Sequence, residues 1–115
     1  FRGHPCTVWA AEDVKNTAWL IAHGTALCYE YYKRYEKVHS CSDTVAEARK
    51  VFLEYSNQQD LSSCRDVKTF AFAGPDEFKY DTSIDIFTQY KRYIASKPWV
   101  ATNYLRNPSR KPNWL

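Results

Sequence analysis

One segment constrains this chain more than any other: the run from Asn16 to Lys37. Read as an α-helix at about 100° per residue, it places Asn16, His23, Glu30 and Arg34 on one stripe about 40° wide. Leu20 and Leu27 share that stripe. A surface helix normally separates its polar and apolar faces. Here a histidine, a glutamate and an arginine are mixed with leucines, so each needs a partner at the edge of a core. Polar groups held against an apolar wall are also what binding pockets are made of.

The 115 residues are enough for a single helical domain, residues 1–115, with a modest core, and a hydrophobic content of 44% excludes a disordered chain. The sequence opens Phe1-Arg2-Gly3-His4-Pro5 without a methionine, and an additional N-terminal segment is an expectation. No apolar run is long enough to cross a membrane or to serve as a signal peptide, so no membrane partner is expected. The net charge of +3 is too small to identify a partner by itself. Its distribution says more. From Tyr90 to Leu115 the chain carries Lys91, Arg92, Lys97, Arg106, Arg110 and Lys111 with no Asp or Glu, interleaved with Tyr90, Tyr93, Trp99, Tyr104 and Trp114. Cations alternating with rings suit a phosphate backbone carrying stackable bases. The same residues also suit a solvated helix and tail whose rings fold back on the core.

The periodicity predicts an all-α fold with three main helices, a compact bundle. Phe1 to Trp9 reads as a lead-in segment, with Thr7 capping a short turn through Trp9 and Ala10. Asp13 or Asn16 opens the first long helix, which runs to about Val38, and Gly24 within it offers room for a close approach. Ser42 or Asp43 caps a second helix over Thr44 to Glu54. Tyr55 to Lys68 is a long polar surface loop. Thr69 to Ala73 is a short apolar stretch with no evident partner strand, closed by Gly74-Pro75. A third helix over Ser83 to Ser96 points Ile84, Phe87, Tyr90, Tyr93 and Ile94 inward, and Pro98 ends it. Trp99 to Leu105 adds a short helix before an irregular tail anchored by Trp114.

Several groups admit both a chemical and a structural role. Glu30 and Arg34 form an i,i+4 pair. Glu30 and His23 lie two turns apart, about 10 Å along the axis, so they reach each other only across a ligand. In the chemical reading Glu30 is a general acid/base and His23 its partner; in the structural one the stripe is a buried network. His4-x-Cys6 and His39-x-Cys41 repeat a pair that a His2Cys2 zinc site would use, but there is no CxxC knuckle, so no metal is expected and free thiols are favoured over disulfides. Cys28 reads as a small buried hydrophobe. Asp76-Glu77 complements a helix dipole more readily than it holds a metal. Lys97 before Pro98-Trp99 reads as a solvated lysine. No phosphate-binding loop, nucleophile elbow, HExxH or dinucleotide fingerprint is present, and no cofactor is expected.

Taken together, His4-Pro5-Cys6-Thr7-x-Trp9, Asn16-x-x-Trp19-Leu20 and Glu30-Tyr31-x-x-Arg34-Tyr35-x-Lys37-x-His39 resemble a group of small phage-encoded helical proteins. Phe72-Ala73-x-Pro75-Asp76-Glu77-Phe78, Tyr90-x-x-Tyr93, Lys97 and Pro112-x-Trp114 extend the resemblance over nearly the whole chain. Some members of that group are described as related to pyrimidine-dimer DNA glycosylases of the endonuclease V type. The resemblance implies DNA as partner, excision or modification of a base, and the cytoplasm of a phage-infected bacterial cell. Such glycosylases use an N-terminal amine as nucleophile and a nearby Glu; no residue of this chain matches that amine.

The leading expectation is therefore a phage-type DNA-interacting protein, glycosylase-like in its fullest form. Glu30 and His23 would act on an extruded base. Asn16, Trp19, Arg34, Lys37, Lys91, Arg92, Lys97, Trp99 and Arg106 would bind the nucleic acid, with Trp19 or Trp99 stacking. The alternatives are a non-catalytic structural or protein-interaction module and an enzyme acting on free nucleotides.

Overall fold

The structure is a computed structural model that describes residues 2–79 and 83–115. It is all-α, with no strand among the described residues. The described residues form four α-helices: α1 (Pro5–Glu12), α2 (Val14–Tyr35), α3 (Ser42–Ser56) and α4 (Ile86–Ala95). Short 3-10 turns at Ser62–Asp66, Asp76–Phe78, Val100–Tyr104 and Pro108–Arg110 connect and follow them.

The additional helix is α1, where a lead-in segment was expected. Its cap is a histidine: His4 Nδ1 accepts the Cys6 N–H at 3.1 Å, and Pro5 takes the first helical position, where no N–H is needed. Asp13 then breaks the chain with φ −156° and ψ 144° and recaps it, accepting the Lys15 N–H at 2.8 Å. Two α2 side chains close the end of α1: Asn16 Nδ2 donates to the Trp9 carbonyl and Thr17 Oγ1 to that of Ala10. The corner between α1 and α2 thus satisfies its own polar groups.

Helix α2 stops at Tyr35, three residues before the expected end. Glu36 adopts the left-handed conformation, φ 54° and ψ 33°, and its N–H returns to the Tyr32 carbonyl. Helix α3 is longer at both ends than the periodicity indicated. It ends on Asn57, also left-handed. At Gly24 the approaching group is Val45 of α3, whose methyls sit 3.5 and 3.6 Å from where a Cβ would stand.

The polar stretch after α3 is not wholly irregular. Asp60 accepts the Ser62 N–H, a 3-10 turn follows, and that turn packs on α2 with Lys15 Nζ 3.9 Å from Asp66. The apolar run at 69–73 has no regular secondary structure. In place of a partner strand it has one phenol: Tyr90 Oη donates to the Ala71 carbonyl and accepts the Ala73 N–H, each at 2.9 Å. Gly74 follows because a Cβ there would lie 2.6 Å from the Phe72 ring. Helix α4 starts three residues later than expected because Asp85 caps it, accepting the Thr88 N–H.

Helices α1 and α3 and the 3-10 turn at Ser62–Asp66 pack on α2, while α4 packs on the turn at Asp76–Phe78. Among the described residues only Ala18, Ile21 and Tyr104 are buried, and no large side chain is fully enclosed. The accessible surface is 8426 Å², against about 6,500 Å² for a typical monomer of this mass. The radius of gyration is 15.6 Å, against about 13.4 Å for a typical domain of this length. Cys28, expected in the core, is half-buried, and all four cysteines are free. No described helix is long and apolar enough to cross a membrane.

Candidate functional site

Aromatic residues from four separate segments converge beside the first half of α2. Trp9 comes from α1, Trp19 from α2, Phe70 from the apolar run at 69–73, and Phe87 and Tyr90 from α4. Trp19 stacks on His23 (centroids 4.8 Å apart, planes 10° apart) and on Phe70 (4.5 Å, 21°). Phe70 continues to Tyr90 (5.4 Å, 26°), and Trp9 meets Trp19 edge-on at 5.7 Å. The rings bound a cavity of about 370 Å³, within the size range of small-molecule sites. Cys6, His23, Tyr90 and Lys91 are its titratable lining residues.

His23 is the polar group of this cavity that suits hydrogen bonding to a ligand. One ring face is covered by Trp19 while its outer edge stays open to water. That partial burial lowers its pKa below the usual imidazole value, so the neutral form, one donor and one acceptor, is favoured. Lys91 lines the cavity, and its ammonium lies 5.8 Å from the Trp114 ring of the tail.

The second half of the stripe is built differently. Glu30 is gripped by Arg34, Nε to Oε1 at 3.0 Å, and by Arg110 of the tail, which reaches both carboxylate oxygens. Arg110 above all holds the Glu30 carboxyl below the usual glutamate range, against the opposing effect of burial, and Arg34 adds to the lowering. Arg34 also lies over the Tyr104 ring at 4.2 Å. Tyr35 Oη donates to the Asn103 carbonyl and Asn107 Nδ2 to that of Lys33. This half of α2 is the mooring of the C-terminal tail. A carboxylate fixed as an anion by two guanidiniums is a poor proton donor at neutral pH.

His23 and Glu30 therefore open onto different cavities. Asn16 spends its amide on α1, and Trp19 is engaged by two rings. Lys37, Lys91, Arg92 and Arg106 are exposed; Lys97 is half-buried with its ammonium 4.5 Å from the Tyr93 ring. Trp99, 54% exposed, presents an indole to solvent. Sequence reasoning placed Phe87 on the inward face of the third helix and Arg110 among the tail cations without assigning either to the site, and it did not single out Phe70, which lies far along the chain from α2.

The His-x-Cys pairs share a structural use. His39 Nδ1 accepts the Cys41 N–H at 3.0 Å, as His4 does for Cys6. Among the described residues no three His, Cys, Asp or Glu side chains gather as a metal site would require. Asp76 pairs with Lys79 at 3.2 Å. No protein-family model, curated protein or solved structure matches this chain.

Proposed function

We propose that this protein binds DNA, holding phosphates on the basic face of α4 and the tail and receiving an unpaired base in the aromatic cavity beside His23. One observation carries the reading: Lys91 lines that cavity and also belongs to a stretch of six cations with no acid. A ring-lined slot with an ammonium at its edge is matched to a planar base on a phosphate chain. Neutral His23 supplies a hydrogen bond to the base edge. Trp99 offers a stacking surface to a neighbouring base. Lys91, Arg92, Lys97 and Arg106 attract the backbone, while Arg34 and Glu30 act from behind by fixing the tail. Base excision, which the phage-protein resemblance implies, would place His23 rather than Glu30 at the reacting base.

The test is binding of labelled duplex DNA, plain and ultraviolet-damaged, across a salt series. We expect affinity to fall steeply with salt, and Lys91→Gln to reduce the log–log slope by about 0.9. Preference for damaged duplex, followed by strand breakage on alkali treatment, extends the reading to excision. Absence of binding at low salt overturns it.

A further inference from the structure

We propose that two copies of this chain associate through the face between α2 and α3, an arrangement independent of the DNA reading. A groove of about 1220 Å³ runs along this face. Val14 and Ile21 form one wall; Ala48, Val51, Phe52 and Tyr55 form the other. Val51 is 41% exposed and Tyr55 86%. Thr44, Ala48, Val51 and Tyr55 recur at spacings of four, three and four, the pattern of a helix that faces another helix. Within the chain that face of α3 meets water.

The size of the deficit indicates the occupant. The chain exposes about 1,900 Å² more than a typical monomer of its mass. Obligate homodimers bury about 2,000–5,000 Å² in total, or about 1,000–2,500 Å² per subunit. A second copy thus covers the excess. Asp13, Asp43 and Glu47 border the groove and repel a phosphate chain, so DNA is not its occupant. A two-fold axis at the middle of α3 sets two α3 helices antiparallel, with Ala48 against Val51 and Thr44 against Tyr55 of the second copy. The result is a four-helix layer of two α2 and two α3 helices around one shared core.

Sedimentation equilibrium of the full chain over a concentration series tests this. We expect a mass of twice 13.5 kDa, falling twofold in the double variant Val51→Glu/Tyr55→Glu with helical circular dichroism retained, because both side chains are exposed within one chain. A monomeric parent at high micromolar concentration overturns the proposal and assigns the groove to another partner. A dimer that survives the double variant overturns it as well. Hydrogen exchange on the parent gives a reading that needs no variant: α3 amides gain protection as concentration rises, and invariance refutes the interface.

Discussion

The two halves of the α2 stripe share a helix face and a mixed composition, yet they are held by different forces. Around Trp19 and His23 the partners are rings, and partial burial shifts the polar group toward its neutral form. Around Glu30 and Arg34 the partners are charges, and the polar group is kept ionised by two guanidiniums. The first half leaves a cavity with a usable hydrogen-bonding edge. The second spends its capacity on anchoring the tail. A polar residue on an apolar stripe thus announces that it needs a partner, and the partner decides whether it retains capacity for a ligand.

Replacing a ring should expose this contrast most. Trp19→Ala removes a side chain that touches Trp9, His23 and Phe70, and we expect a loss of about 3 kcal/mol in urea unfolding. In the same variant the His23 pKa, followed by NMR, rises toward the ordinary imidazole value because its cover has gone. A stack that contributes little would leave both unchanged.

Glu30→Gln probes the other half and should cost about 1–2 kcal/mol at neutral pH. The folded-state pKa of Glu30 is depressed. Its contribution is therefore fully present above the unfolded glutamate pKa and is lost as pH falls through the folded value. The gap in stability between parent and variant should accordingly close as the solution is acidified from pH 7 toward about pH 3. A gap constant over that range would remove the anchoring account. DNA affinity in this variant should change less than in Lys91→Gln.

The smallest effect concerns where the stripe ends. Glu36 holds a left-handed conformation that glycine adopts without strain. Glu36→Gly should therefore gain about 0.5 kcal/mol, seen as a small rise in melting temperature. Asn57, in the same conformation, tolerates it better, and Asn57→Gly should change less.

The helical class, the long α2 and the Glu30–Arg34 contact were legible from spacing alone, because i,i+4 geometry is local. Helix α1 was not, since its cap is an imidazole and not one of the usual short polar side chains. The cavity was half legible. Trp19, His23 and Lys91 stood out by type, but Phe70 was only one more apolar residue until the chain returned it to α2. The tail cations looked alike in sequence. Arg110 was separated from its neighbours by a carboxylate eighty residues earlier.

The hydroxyl of Tyr90 joins two parts of the chain that are otherwise separate in sequence. It is the clasp between α4 and the apolar run that carries Phe70. Lys91 follows it directly in sequence, so a load placed on that ammonium is borne one residue from the clasp. The wall of the cavity is thus tied to α4 by this oxygen together with the contacts of Phe70 to Phe87 and Tyr90, so a shift of α4 carries the wall with it.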